Sequence, residues 1–248
     1  MILELDLGNT CAKWRIVKDR AEVVAQGIAD IDDWLDGRFP AAWRMGVARA
    51  RIASVLASTT ENELIAKIQS ELLISTQLAR STASCCGVTN AYANPDRLGV
   101  DRWLALIAAY KLRDGAVMVI DAGTALKVDA VDDAGRHFGG YIIPGSALME
   151  SALLQGTDRV RYEDGQLIES VALGRDTRSC VQHGIAAALV GAVMVAIERF
   201  RIVIGRQPHL CITGGAGVLL KRRLDEVGIL DSSLEADLVL DGLRWVLP

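Results

Sequence analysis

Met1-Ile2-Leu3-Glu4-Leu5-Asp6-Leu7-Gly8-Asn9-Thr10-Cys11-Ala12-Lys13 is the stretch from which the fold can be read. Leu3, Leu5 and Leu7 alternate with Glu4 and Asp6, the period of two that belongs to a strand with one apolar face, and Gly8-Asn9 supplies a tight turn. Beyond it Ala12, Trp14 and Ile16 alternate with Lys13 and Arg15, which predicts a returning strand carrying a cation close to Asp6. A carboxylate therefore stands at the mouth of a hairpin. The same pattern returns in Val117-Met118-Val119-Ile120-Asp121-Ala122-Gly123-Thr124-Ala125-Leu126-Lys127-Val128-Asp129, with Asp121 on Asp6, Gly123 on Gly8 and Thr124 on Asn9. Two hairpins of one design imply two related halves.

The duplication points to a chemistry. A glycine turn brings backbone N–H groups close to a ligand with no Cβ in the way, and successive amides make a concavity suited to phosphate. An Asp beside each turn suits Mg²⁺, which takes one or two carboxylates together with phosphate oxygens. Two such turns facing one another across a cleft would grip a nucleoside triphosphate. A single Asp-x-Gly after an apolar strand is also an ordinary hairpin; its repetition in register favours the ligand.

Composition narrows the function classes. The 248 residues suit one large domain or two halves, and 51% apolar with 23% charged residues is the balance of a well-filled core. A net charge of −4 without a run of five like charges argues against nucleic acid as partner. The opening MILELD has no basic segment ahead of an apolar one, so no signal peptide is expected and the expected location is cytoplasmic. Cys11, Cys85, Cys86, Cys180 and Cys211 include no C-x-x-C, and His137, His183 and His209 lack the i, i+4 spacing of paired ligands, so no zinc site is expected. The most apolar window, residues 185–197, is shorter than the ~20 residues of a membrane span and reads as a buried helix.

Along the chain, residues 21–27 and 51–58 read as strands, and Thr60-Glu61-Asn62-Glu63 reads as a capping box opening a helix to about Leu73. Residues 90–103, NAYANPDRLGVDRW, are irregular: Asn94-Pro95 breaks regular structure, Gly99 permits an unusual backbone angle, and Asp101 opens a helix with Leu104, Ile107, Ala108 and Leu112 inward. A loop running into a helix start is a natural substrate platform, although Asp101 would also serve as a first-turn acid. The second half is expected from about Gly115: a turn at 132–135, a strand at 136–143, and a helix after Pro144-Gly145 to about Leu154. A charged loop follows at 158–165, then a long helix at 177–200 with Gly184 and Gly191 on one side, open to a neighbouring helix of the core or of a second copy. A strand at 210–213 ends in Gly214-Gly215, ahead of a helix at 218–227. That glycine pair can accept a flat ring or a phosphate.

With these pieces in order, the sequence resembles the type III pantothenate kinases, members of the superfamily of acetate and sugar kinases, heat-shock ATPases and actin. The first phosphate motif of the family is matched by Asp6-Leu7-Gly8-Asn9-Thr10 with Lys13, the substrate motif by Gly99-Val100-Asp101-Arg102 preceded by Tyr92, and the second phosphate motif by Asp121-Ala122-Gly123-Thr124-Ala125. Gly139-Gly140-Tyr141-Ile142-Ile143-Pro144-Gly145 and Thr213-Gly214-Gly215 also match family signatures, so the likeness spans nearly the whole chain. It implies an α/β, duplicated actin-like (ribonuclease H-like) fold of two domains, residues 1–114 and 115–248, with ATP in the cleft between the halves. The implied reaction is transfer of the ATP γ-phosphoryl group to the terminal hydroxyl of pantothenate, the first step toward coenzyme A. By that resemblance Asp101 is the general base, and Tyr92, Gly99, Val100, Arg102 and Thr177 contact pantothenate, Thr177 across a homodimer. Asp6, Gly8, Asn9, Thr10, Lys13, Gly123, Thr124, Gly214 and Gly215 hold ATP, and Asp6 and Asp121 hold Mg²⁺.

One departure stands out. Where the family commonly has Thr, this chain has Lys127, which the repeat alignment sets against Ala12 rather than Lys13, so a symmetric second phosphate lysine is not expected. The resemblance implies activation by a monovalent cation, K⁺ or NH₄⁺, near Asp121, and the Lys127 ammonium is a candidate to stand in for it. The other reading is a solvated lysine on a strand. Two alternatives keep the fold and change the role: a kinase with another small hydroxyl acceptor, or a nucleotide-binding regulator without turnover. Asp101 separates the last from the kinases, since a binding module needs no base there.

Overall fold

Strands β1 (Ile2–Leu7) and β2 (Ala12–Val17) form the expected hairpin in a computed structural model, which describes residues 1–9, 11–18, 22–113, 115–163 and 170–248. The pairing sets Asp6 directly opposite Lys13. Strands β3 (Val23–Ala29), β4 (Arg49–Ser54) and β5 (Ser75–Leu78) complete a five-stranded sheet in the order β3-β2-β1-β4-β5. Helices α1 (Ile31–Leu35), α2 (Ser58–Leu72) and α3 (Val100–Arg113) and the short hairpin of β6 (Ser84–Cys85) and β7 (Val88–Thr89) accompany it. Strands β8 (Val117–Ala122), β9 (Ala125–Val131), β10 (His137–Pro144), β11 (His209–Thr213) and β12 (Ser232–Leu234) repeat the plan in the order β10-β9-β8-β11-β12. Helices α4 (Ser146–Gly156), α5 (Thr177–Ile204), α6 (Gly217–Glu226) and α7 (Leu238–Val246) follow in their turn. In both sheets the first three strands meander antiparallel and the last two add in parallel, so the duplication read from two hairpins extends to whole sheets.

The chain divides into two units, Met1–Ala108 with Leu238–Pro248, and Ala109–Asp237. The division expected at 114/115 falls six residues earlier, inside α3, and the C-terminal segment belongs to the first unit. The reason is chemical. Glu4, expected on the polar face of β1, is only 1% exposed. Its carboxylate accepts from Arg15 Nε at 2.6 Å and Arg51 Nη1 at 3.0 Å, while Arg15 Nη1 reaches Asp241 of α7 at 2.9 Å. Helix α7 packs on β1 and β4 and covers that face, and a Cβ on its Gly242 would collide with the Leu104 carbonyl of α3.

Other expectations shift for similar reasons. The capping box at Thr60–Glu63 does not form: α2 starts at Ser58, so Thr60 lies inside the helix, and the Glu63 carboxylate pairs with Lys67 at 3.2 Å. Leu112, expected inward, is 52% exposed, whereas Leu104, Ile107 and Ala108 are buried. The stretch 31–45 folds around indoles, Trp34 lying 4.7 Å and Trp14 5.9 Å from Trp43 by ring centroid. Helix α5 runs four residues past the expected end; it is long and apolar enough to cross a membrane by length and composition, yet Leu189, Val190, Val193, Ala196, Ile197 and Phe200 are buried in the second unit's core. Gly184 and Gly191 meet no atom within 4 Å of an added Cβ, so among the described residues no helix uses their close-approach face. Thr10, and part of the expected 158–165 loop, lie outside the described residues.

The repeat alignment needs one correction. In the first hairpin Leu7 pairs with Ala12, leaving residues 8–11 as the turn, but in the second Ala122 pairs with Leu126, leaving 123–125. The second turn is one residue shorter, so Asp121 stands opposite Lys127 and Lys127, not Val128, is the counterpart of Lys13.

Replacing Glu4 by Ala leaves two buried guanidinium groups without their shared carboxylate. Denaturant unfolding should show a loss of about 3–5 kcal/mol, the cost of breaking a buried ion pair from one side.

Candidate active site

In the first unit Asp6 is half-buried at the end of β1, with Gly8 and Asn9 following in the turn, where Gly8 N–H donates to the Cys11 carbonyl at 3.2 Å. Lys13 is half-buried across from Asp6. On its other side Asp6 pairs in parallel register with Ala53 of β4, and Ala53 shares a buried cluster with Val100 and Leu104 of α3. The first phosphate motif and the substrate motif are thus linked through one packed layer.

The substrate segment is built by short-range hydrogen bonds. Asn94 caps the 3₁₀ turn Pro95–Arg97 by accepting from Asp96 N–H at 3.2 Å, and Asn90 Oδ1 accepts from Tyr92 N–H at 2.9 Å. Helix α3 then begins at Val100, with Asp101 in the first turn, where a carboxylate is favoured by the helix dipole. Arg102 is 6% exposed and its Nη1 donates to the Tyr92 hydroxyl at 2.8 Å, so the two predicted substrate contacts hold each other in place. A Cβ on Gly99 would lie 2.6 Å from Asp101 Oδ1. Glycine is needed there for room rather than for an unusual backbone angle, because any side chain would push that carboxylate aside.

Beside this segment a polar hollow of about 520 Å³ is lined by Ser54, Ser58, Glu61, Arg80, Ser81 and Asp96. Burial works to raise the Glu61 pKa, but hydrogen bonds from Arg80 and Ser54 and the Arg80 charge outweigh it and hold the carboxyl below its ordinary 4.5.

In the second unit three turns converge at the ends of β8 and β11. Asp121 is in register with Thr213, and its Oδ2 receives Lys127 Nζ at 2.7 Å. Gly123 N–H donates to the Ala125 carbonyl at 3.1 Å, and Gly145 N–H to the Thr124 carbonyl at 2.9 Å. Gly145 has no room for a Cβ against the Gly123 and Thr124 carbonyls, and Gly214, at φ +89°, has none against the Ala122 carbonyl and Asp121 Oδ1. Gly145 and Ala216 cap α4 and α6 without a side-chain hydrogen bond, so both helices begin with backbone donors beside this turn, an arrangement that favours anions. Gly215 and Thr124 are exposed.

Thr177 belongs to the second unit. It opens α5 after the capping box of Asp176 and Ser179 and lines a groove with Met149, Leu153 and Cys180 in the second unit, while Asp101 belongs to the first. Lys127, read in the sequence as a candidate cation near Asp121, was set against the wrong position of the first hairpin by an ungapped alignment, and Arg223 of α6 went unread. Arg223 is buried and lines a void of about 20 Å³, room for one water, with Gly123, Gly145 and Ser146. Its only signal is a cation between the apolar Leu220 and Leu224.

A family model described as type III pantothenate kinase matches residues 2–199. The chain belongs to the type III pantothenate kinase family. Its type III pantothenate kinase relatives in Pseudomonas aeruginosa and Pseudomonas putida are each 36% identical, over 100% of this chain and 99% of theirs. Among solved structures, a protein of Campylobacter jejuni described as a Baf family transcriptional activator superposes with TM-score 0.59 at 20% identity, over 99% of this chain and 96% of that one. The acetate kinase of Entamoeba histolytica superposes with TM-score 0.51 at 10% identity, over 92% and 86%. These structural likenesses show the actin-like kinase fold, and the family membership makes the chain an ATP-dependent kinase.

Two measurements test the site. If the Asp101 carboxylate that Gly99 makes room for takes part in the reaction, Gly99→Ala should lower kcat by about 10²-fold with little change in melting temperature, the cost of a misplacement of about 1 Å. Because Glu61 is depressed in the folded state, its stabilising contribution is complete above pH 4.5 and is lost as pH falls through the lower folded value. The gap in urea stability between wild type and Glu61→Gln should therefore be largest near neutrality and close below pH 4.5.

Proposed function

We propose that this enzyme transfers the γ-phosphoryl group of ATP to the terminal hydroxyl of pantothenate, giving 4′-phosphopantothenate and ADP. Family membership supports the reaction, and the carrying observation is local: an acid in the first turn of α3 beside an arginine locked by Tyr92. Phosphoryl transfer has a loose transition state, so the chain must align the nucleophile, neutralise charge and accept a proton. Asp101 accepts the hydroxyl proton. Arg102, prevented from swinging by the tyrosine hydroxyl, offers its guanidinium to the pantothenate carboxylate, and Gly99 and Val100 shape the backbone around it. Gly8, Asn9, Thr10 and Lys13 meet the phosphates from one hairpin, Gly123 and Thr124 from the other, and Gly214 and Gly215 border the nucleotide.

A divalent ion belongs to this reaction, and Asp6 fits it: a half-buried carboxylate at a strand end beside an amide-lined turn is the donor Mg²⁺ uses together with phosphate oxygens. Mg²⁺ held there by Asp6 would offset the negative charge of the phosphates. Asp121, expected to share the metal, is already paired with Lys127.

A homodimer is also part of this reading. Phe138, Ile142, Leu148, Met194, Ile202 and Val203 expose large apolar surface on β10, α4 and α5, and a second copy covering it gives Thr177 its route to a neighbouring substrate segment. A cytoplasmic location fits a biosynthetic kinase.

The test is ADP release with ATP, Mg²⁺ and pantothenate. Turnover should require pantothenate, and Asp101→Asn should lower kcat by about 10²–10⁴-fold with the fold intact. Turnover unchanged in that variant would remove Asp101 from the mechanism.

A further inference from the structure

The second turn carries a charge arrangement that phosphate binding alone does not explain. Asp121 and Lys127 face each other across β8 and β9 as Asp6 and Lys13 do across β1 and β2, although the turns differ in length by one residue. Asp121 is engaged through one oxygen and crowded at the other. Oδ2 lies 2.7 Å from Lys127 Nζ, each side chain being 21% exposed, and Oδ1 faces Gly214, whose added Cβ would stand only 2.5 Å away. The carboxylate is neutralised on one side and walled by backbone on the other. A metal or a monovalent cation binding Oδ2 would have to displace the ammonium.

We propose that Lys127 is a built-in cation of the second phosphate turn, a positioning residue that neutralises Asp121 and presents fixed positive charge to the polyphosphate. This rests on the kinase reading above. An ammonium is a compact point charge with three donors, of a size with hydrated-shell-free K⁺ and NH₄⁺, and being tethered it needs no cation from solution. Its ion pair makes Asp121 a partner of lysine rather than a ligand of metal. Without Lys127, the Asp121 carboxylate would repel the phosphates that the neighbouring amides attract.

Two variants with two readouts decide it. Lys127→Ala leaves a carboxylate beside an ammonium-sized gap, and Lys127→Met fills the gap without charge. Both should lower kcat by about 10²-fold, the scale of losing one preorganised charge-stabilising group. NH₄⁺ or K⁺ at constant ionic strength should restore the Ala variant and not the Met variant, and wild type should be indifferent to both ions. Independently of turnover, ²⁰⁵Tl⁺ NMR should show saturable Tl⁺ binding by Lys127→Ala and none by wild type. Saturable Tl⁺ binding by wild type, wild-type activity that climbs steeply with K⁺, or full activity of Lys127→Met would each overturn the proposal. Should the Ala variant fail to fold, Lys127→Met with the wild-type titration still decides. Wild type inactive on pantothenate would defeat the kinase reading instead, and the Tl⁺ comparison would continue to report on Lys127.

Discussion

An antiparallel hairpin obliges residues on its two strands to stand in fixed opposition, and in this protein that constraint places a lysine against an acid at the mouth of each glycine turn. Backbone amides gathered at a turn attract phosphate, but an acid alone beside them would repel it. At the second turn the opposed lysine, 2.7 Å from the acid, offsets its charge without moving it. Because the opposition is enforced by the ladder, it survives a change in turn length: 8–11 in one half and 123–125 in the other return the same pairing. The rest of each unit serves to hold that ladder still, with two parallel strands on one side of it and an antiparallel third on the other.

The glycines around the second turn show how tightly its backbone is set. Gly145 and Gly214 come from segments far apart in sequence, yet each touches a carbonyl of the turn at a distance no Cβ would tolerate. Two helices begin there without side-chain caps, so donors that would otherwise be satisfied locally are left for a ligand. The first unit solves a different problem. Its substrate segment uses Asn90 and Asn94 to brace an irregular loop, then sets Arg102 against Tyr92 before the helix is one turn old. Rigid support of this kind suits a reaction whose catalysis is mostly alignment.

Much of this was legible in the chain. Both acid-flanked hairpins, the irregular stretch before α3, the strand ahead of Gly214-Gly215 and the long α5 follow from alternation, turn residues and apolar runs. The failures have physical causes. Thr60–Glu63 has the spacing of a capping box, but α2 begins at Ser58, which puts Thr60 inside the helix and leaves Glu63 to pair with Lys67 one turn on. Glu4 reads as solvent-facing because a sequence cannot show that two arginines and α7 will cover it. Residues 228–248 were unread, although α7 sets buried Leu238, Leu240 and Leu243 against exposed Arg244 and Trp245.

By itself the sequence determined the local grammar: which segments alternate, where glycine bends them, which acids and cations flank the bends, and which family those motifs resemble. Tertiary structure decided the pairings. Whether Lys127 answers Lys13 depended on strand register, which hydrogen bonding sets and residue counting does not, and the return of residues 238–248 to the first unit depended on Arg15 meeting Asp241 across a gap of 226 positions. Periodicity is a property of neighbours along the chain, whereas charge compensation is settled among neighbours in space, and only folding specifies those.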